Sequence, residues 1–333
     1  MSVKSKIFGT VAGVAMLTGA TGAMALDEIT VAYFLEWPMP FEFAKANGTY
    51  DEELGVTVNW RAFDTGTAMS AAMASGDVHI AVSQGVPPFV VAASAGQDLQ
   101  VVDVAVSYAD NDNCVVHSSL EIDAASVADL EGHRIGVPIG TAAHYGFLKQ
   151  MEHFGIDVST LEVVDMAPAD SAAALAQGSL DMACGWGGAL RRMTEHGNTL
   201  LTGAEKTELG IYVFDVTSAS ASFVEEEPEL LADFLAVTAH ANAMWNSGEH
   251  TAEMLPVIAQ DAGMSEEDAA ATLARFEFPS VEAQLSEAWL GGGTQTFLKE
   301  VADFFVETGN IDGSRSSYDG AVNTSALSAA SDM

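Results

Sequence analysis

Apolar positions along the chain alternate between two periods. Ile29–Phe34 is a run of β-branched and aromatic residues, and Val56–Trp60 alternates apolar and polar positions as a half-buried strand does. Between them a Pro-broken loop, Leu35–Pro40, leads into an amphipathic segment from Phe41. The spacing predicts a helix over 68–75 closed by Gly76, then a strand at Val78–Val82. The turn Ser83-Gln84-Gly85-Val86-Pro87-Pro88 opens a further helix, with proline where a first turn needs no N–H donor. Strand Leu99–Val106, a capping-box pattern at Ser126–Asp129 and strand Arg134–Pro138 come next. A helix over 142–153 ended by Gly155 and strand Leu161–Met166 follow, and from about Pro228 the pattern is mainly helical. Sustained βαβα order predicts an α/β fold with parallel strands and helices on both faces.

One segment is echoed. Ser70–Ala81 resembles Ala172–Ala183 at an offset of 102 residues, each a helix closed by glycine (Gly76, Gly178) and followed by a short buried strand. Each copy then runs into a turn that opens another helix, after Ser83 and after Trp186. Any α/β protein contains helix–Gly–strand units, yet the echo fits two similar lobes that aim strand ends and helix starts at one crevice.

The first 25 residues read as an export signal rather than part of the fold. Lys4 and Lys6 form a basic start, Ile7–Leu17 is an apolar stretch, and Ala23-Met24-Ala25 supplies a small-x-small cleavage signal. The expectation is a periplasmic protein cleaved after Ala25, with no membrane anchor, because no second hydrophobic span follows. The 333 residues carry 12 Lys+Arg and 47 Asp+Glu, a charge of −35, which removal of that segment takes to −37. Such a field repels nucleic acid and anionic lipid. Cys114 and Cys184 are either a disulfide, permitted by an oxidising compartment, or two small buried strand residues.

The eight histidines are scattered without metal-ligand spacing, and Gly291-Gly292-Gly293 lacks phosphate- or dinucleotide-binding spacing. No nucleophile motif is evident. No metal and no cofactor is therefore expected. Arg191-Arg192 is expected to face solvent from a helix, with a membrane partner as another possible contact.

Several motifs recur in order with those of a known family. They are Val31-Ala32-Tyr33, Val58–Gly66, Ala74–Val78, Gly132–Pro138, Thr141–Tyr145 and the Thr296–Lys299 helix leading to Ser317-Tyr318. Along essentially its whole mature length the chain resembles the nitrate/sulfonate/taurine-binding group of ABC-importer solute-binding proteins. The resemblance implies a two-lobed, type II periplasmic-binding-protein fold with a two-stranded hinge. One lobe would comprise 26–113 plus 217–333 and the other 114–216, with crossovers near Asn113–Val116 and Asp215–Ser218. It also implies a small sulfonate zwitterion, taurine first, as ligand, and ABC permease subunits as partners of a monomer.

The residues supply a matching site. A sulfonate keeps its charge and needs several N–H donors, which helix starts provide. Ser83-Gln84-Gly85 and Gly140-Thr141-Ala142-Ala143 are the candidates, Thr141 adding a hydroxyl. Carried over from the family, Asp215 in the apolar strand Tyr212–Val216 would meet the amine. Glu36 is a second acid in reach of the cleft. Trp37, Tyr108, Tyr145 and Trp186 follow strands or begin helices and are expected to wall the pocket. Phe34, Trp37, Tyr108 and Trp186 would equally build an aromatic cage for a methylated onium such as a betaine or dimethylsulfoniopropionate. An exported enzyme on the same fold, with Asp215 or Glu36 as base, is the reading from a different class.

Overall fold

The two apolar periods resolve into two mixed sheets in the computed structural model, which describes residues 26–331. The expected export signal lies outside the described residues. Eleven strands are present: β1 (Glu28–Tyr33), β2 (Thr57–Ala62), β3 (Ile80–Gly85), β4 (Leu99–Tyr108), β5 (Asp112–His117), β6 (Arg134–Val137), β7 (Glu162–Asp165), β8 (Met182–Trp186), β9 (Gly197–Thr199), β10 (Val213–Ser220) and β11 (Phe276–Glu277). The first sheet has the order β11-β4-β10-β3-β1-β2 and the second β7-β6-β8-β5-β9. In each, three parallel strands adjoin one antiparallel strand, β10 in the first and β5 in the second. The echoed segments end in β3 and β8, which hold the same place in the two sheets, each beside its antiparallel strand. A helix–Gly–strand unit repeated in sequence is thus repeated in topology.

The chain passes from the first sheet to the second between Tyr108 and Asp112, and returns between Thr199 and Val213. The segments Asn113–Val116 and Asp215–Ser218 are the strands just beyond these passages, β5 and β10. Cys114 and Cys184 face each other across β5 and β8 and form a disulfide, their Cα atoms 3.9 Å apart. Of the two readings of these cysteines, the bridge is the one realised.

Two local expectations change. Ser83-Gln84-Gly85 belongs to β3 rather than to a turn, because β10 pairs with it through Asp215↔Gly85 and Val216↔Gln84. The helix then starts at Val86, with Pro87 and Pro88 in its first turn. Ser126 does not cap a helix, since its hydroxyl bonds back to Asp123 and only a short 3-10 turn, Val127–Leu130, follows. That alternative hydrogen bond is the usual competitor of a serine cap.

One large apolar core runs through the first lobe and into the second, with Ile29, Ile80, Phe89, Leu130, Phe147 and Phe305 fully buried. The lobes also meet through aromatic rings, Tyr145 of the helix Ala142–Phe154 lying 5.4 Å from Phe304 of the helix Gly293–Glu307. Among the described residues no helix is long and apolar enough to cross a membrane, and no group of three or more His, Cys, Asp or Glu is placed to hold a metal ion.

Candidate functional site

Strand ends and helix starts from both sheets converge on one pocket. Trp37, Gly85, Tyr108, Thr141, Ala142, Trp186 and Asp215 line it, all expected from sequence. Phe34, Gly66, Pro88 and Asp112 complete the wall. The pocket is narrow, with a free interior of about 20 Å³, room for a water or two between its walls.

Asp215 sits at the pocket's acidic end. It is 3% exposed, in the middle strand of three, between β3 and β4. Ser83 Oγ donates to its Oδ2 at 2.6 Å and the Tyr108 hydroxyl donates to its Oδ1 at 2.9 Å. Burial pushes the Asp215 carboxyl up to about 7; the two donors pull it back, and the nearby Asp112 carboxylate raises it again. Ser83 is the pivot. Its φ of 58° is rare for a residue with a side chain, and its Oγ also accepts from Trp37 Nε1 at 2.9 Å. Ser83 therefore stands behind Asp215 and does not line the pocket.

Asp112, the first residue of β5, is the acid that sequence reasoning missed. It is 4% exposed, and its Oδ2 has no hydrogen-bond partner among the described residues. Burial raises its carboxyl to about 7 although the Lys206 ammonium pulls it down. Lys206, itself buried, donates from Nζ to the Asp112 backbone carbonyl, and burial lowers its own pKa against the pull of Asp112 and Asp110.

The opposite end is built from helix starts. Thr141 Oγ1 donates to Pro138 O at 2.6 Å and accepts from His144 N, so its hydroxyl is committed to capping. The amides of Ala142 and Ala143 are left to meet an anion. Thr65 likewise caps Ala68, which leaves Gly66 and Thr67 at the start of the helix Gly66–Ala74. Gly66 faces the pocket from the first lobe and Ala142 from the second. The helix Val86–Ser94 offers less, because Pro87 and Pro88 carry no N–H. Among the described residues no Lys or Arg side chain lines the pocket.

Other expected residues lie elsewhere. The Gln84 side chain donates to Gly66 O and Ser70 Oγ and accepts from Ser218 Oγ, buried and fully used in fixing the helix start at Gly66. Tyr145 packs on the Phe297, Phe304 and Phe305 rings. Glu36 lines a neighbouring cavity rather than the pocket, and pairs with Arg192 through two bonds of 2.5 and 3.0 Å. Arg191 and Arg192 are thus not idle on a solvated face: they tie the helix Gly187–Thr194 to Asp268 and Glu36 of the other lobe. Periodicity alone could not show this, because the acids opposite, Glu36 and Asp268, lie far away in sequence. Glu36 O also accepts from Gly188 N–H at 3.1 Å, and Phe34 and Trp186 meet across the cleft with ring centroids 5.8 Å apart.

Signals for the missed residues existed. Asp64-Thr65-Gly66-Thr67 contains a helix cap before a glycine, and Asp110–Asn113 is a polar run that reads as a turn unless its burial is known.

The chain is similar to known proteins in sequence and in fold. The family described as NMT1/THI5 like matches residues 39–247. The taurine-binding periplasmic protein of Escherichia coli (strain K12) is 28% identical over 287 residues, 85% of this chain and 87% of that protein. The solved structure of the alkanesulfonate-binding protein SsuA from Xanthomonas axonopodis pv. citri, bound to MOPS, is similar with a TM-score of 0.74 at 19% identity, covering 91% of this chain and 100% of that one. A desulfurization enzyme is similar with a TM-score of 0.62 at 15% identity, covering 92% and 99%. At 19% and 15% identity the likeness to these two structures is one of fold.

Proposed function

The chain belongs to the NMT1/THI5-like family, and on that premise we propose that it is the periplasmic solute-binding protein of an ABC importer, capturing taurine or a similar small sulfonate zwitterion. Support comes from the taurine-binding relative, which matches 85% of this chain, and from the polarity of the pocket. Asp215, buried between two donors and open to the pocket on its remaining lone pairs, carries the reading. An ammonium placed there restores the charge balance that burial upsets. The sulfonate then lies against the amides of Gly66, Ala142 and Ala143, where helix dipoles meet it without a mobile counter-charge.

In this reading the lobes divide at the passages 109–111 and 200–212, beside the expected boundaries, and close over the ligand about them. The protein is exported by its first 25 residues, cleaved after Ala25, and works as a monomer that delivers its ligand to permease subunits. It is not an enzyme: Glu36, one candidate base, is held by Arg192, and Asp215 faces no nucleophile beyond its own hydrogen-bond donors.

A thermal-shift screen against taurine, ethanesulfonate, glycine betaine, dimethylsulfoniopropionate and nitrate tests the proposal. A ligand that binds only the folded state raises the melting temperature by mass action. Taurine should give the largest shift. A betaine shift without a taurine shift would replace this ligand class by the methylated-onium one.

A further inference from the structure

We propose that Asp112 and Asp215 together form the cation subsite of the pocket and release a proton as they take up a primary ammonium. The inference rests on the functional reading above and names the cation that the site selects. Both carboxyls line one pocket from opposite sheets, Asp112 at the start of β5 and Asp215 in β10. Asp215 already accepts one bond on each oxygen, which leaves about two of its lone-pair positions free. Asp112 Oδ2 is buried with no partner among the described residues, an arrangement that folded proteins seldom leave without a water, an ion or a ligand to meet it, and here the atom belongs to a pocket wall. A primary ammonium has three N–H donors, enough to serve both acids at once. A quaternary ammonium or a sulfonium has none and would leave Asp112 Oδ2 unpaired, however well aromatic rings received it.

The surroundings decide how these acids titrate. Ser83 from β3 and Tyr108 from β4 face Asp215. Lys206 from the helix Gly203–Glu208 faces Asp112, with its Nζ held on the Asp112 carbonyl and Asp110 drawing on it as well. The helix Ala142–Phe154 presents Gly146 to Asp112, and its His144 accepts from Gly140 N–H and is held neutral by burial, its pKa lowered to about 4. Arg192 is committed to Glu36. Two acids therefore share one neighbouring cation that is itself engaged. Burial is the larger influence on both and brings each to about 7. Ionising one hinders the other, so they titrate as a pair. Below neutrality the empty pocket holds protons on them. An arriving ammonium favours the ionised forms, and the displaced protons leave to solvent.

Titration calorimetry of taurine, run in buffers of different ionisation enthalpy at about pH 6 and about pH 8.5, reads the exchange directly. An alkylammonium stays charged at the lower value and largely so at the higher. The expected result is release of about one proton or more at the lower pH and close to none at the higher. Affinity should fall by about tenfold per pH unit below 7 for each proton released. Ethanesulfonate, which has no amine, should release none. Asp112→Asn, checked for folding by circular dichroism, should remove about one released proton and weaken taurine at least tenfold while leaving ethanesulfonate as tight or tighter. Taurine binding with no buffer-dependent heat at about pH 6, or with Asp112→Asn indistinguishable from the parent, would overturn this inference alone. Absence of taurine binding at both pH values would overturn the functional reading and this inference with it.

Discussion

Ser83 shows how much one side chain contributes without touching a ligand. Its left-handed backbone turns the hydroxyl so that it gives its proton to Asp215 and takes one from Trp37. Both contacts hold wall residues in place, and the first favours the ionised carboxyl. Removing it in Ser83→Ala should raise the Asp215 pKa further and weaken taurine about tenfold near pH 7, since a hydrogen bond to a charged group is worth ~1.5 kcal/mol or more. The loss should shrink at about pH 9, where Asp215 ionises regardless; calorimetry at both values checks this, and an equal loss at both would deny the coupling. Legibility differs from one acid to the other. Asp215 was visible as an acid in an apolar strand, between Phe214 and Val216. Asp112 was hidden in the run Asp110-Asn111-Asp112-Asn113, because only the packing of β5 against β8 and the neighbouring helices buries it.

In the proposed site, elements carry the recognition of the anion. The alternation of strand and helix periods was legible almost throughout, and the echo at an offset of 102 residues anticipated two sheets with matching order. Which helix starts supply donors was not legible from periodicity, since it depends on capping and on proline. Thr141 spends its hydroxyl on a cap, and Pro87 and Pro88 remove the amides that the start at Val86 would have offered. Gly187 marks where an element must also fit its partner. It has φ +53°, and a Cβ there would meet Glu36 O at 2.3 Å and the Trp37 ring at 3.1 Å. Gly187→Ala should therefore keep the lobes from meeting: taurine affinity should drop at least tenfold, with small-angle scattering showing a more open shape in its presence. Unchanged affinity and a compact scattering profile would show that the contact gives way at little cost.

At the scale of the whole molecule, 47 acidic residues against 12 basic ones make every interlobe cation count. Arg192 and Glu36 join the lobes at the rim of the neighbouring cavity, half in solvent, while Arg191 reaches Asp268 beside them. Sequence periodicity placed both arginines on a helix but had no means of showing what lay opposite, because the partners come from loops and helices far along the chain. If the lobes close over the ligand as proposed, this clasp should act on how long the closed state lasts more than on what enters it. Glu36→Arg should speed taurine dissociation several-fold in stopped-flow tryptophan fluorescence, and adding Arg192→Glu should restore most of the slow rate. A double variant as fast as the single one would remove the pair from the closed state's stability. Ligand choice, in the proposed function, lies in the chemistry inside: a carboxylate end for an ammonium and an amide end for a sulfonate. Parallel calorimetric titrations of taurine and ethanesulfonate into the parent protein and Asp215→Asn at about pH 8 test it most directly. The parent should prefer taurine, and Asp215→Asn should lose at least tenfold for taurine while ethanesulfonate is unchanged or tighter; equal losses for both ligands, or no preference in the parent, would remove Asp215 from the ammonium end.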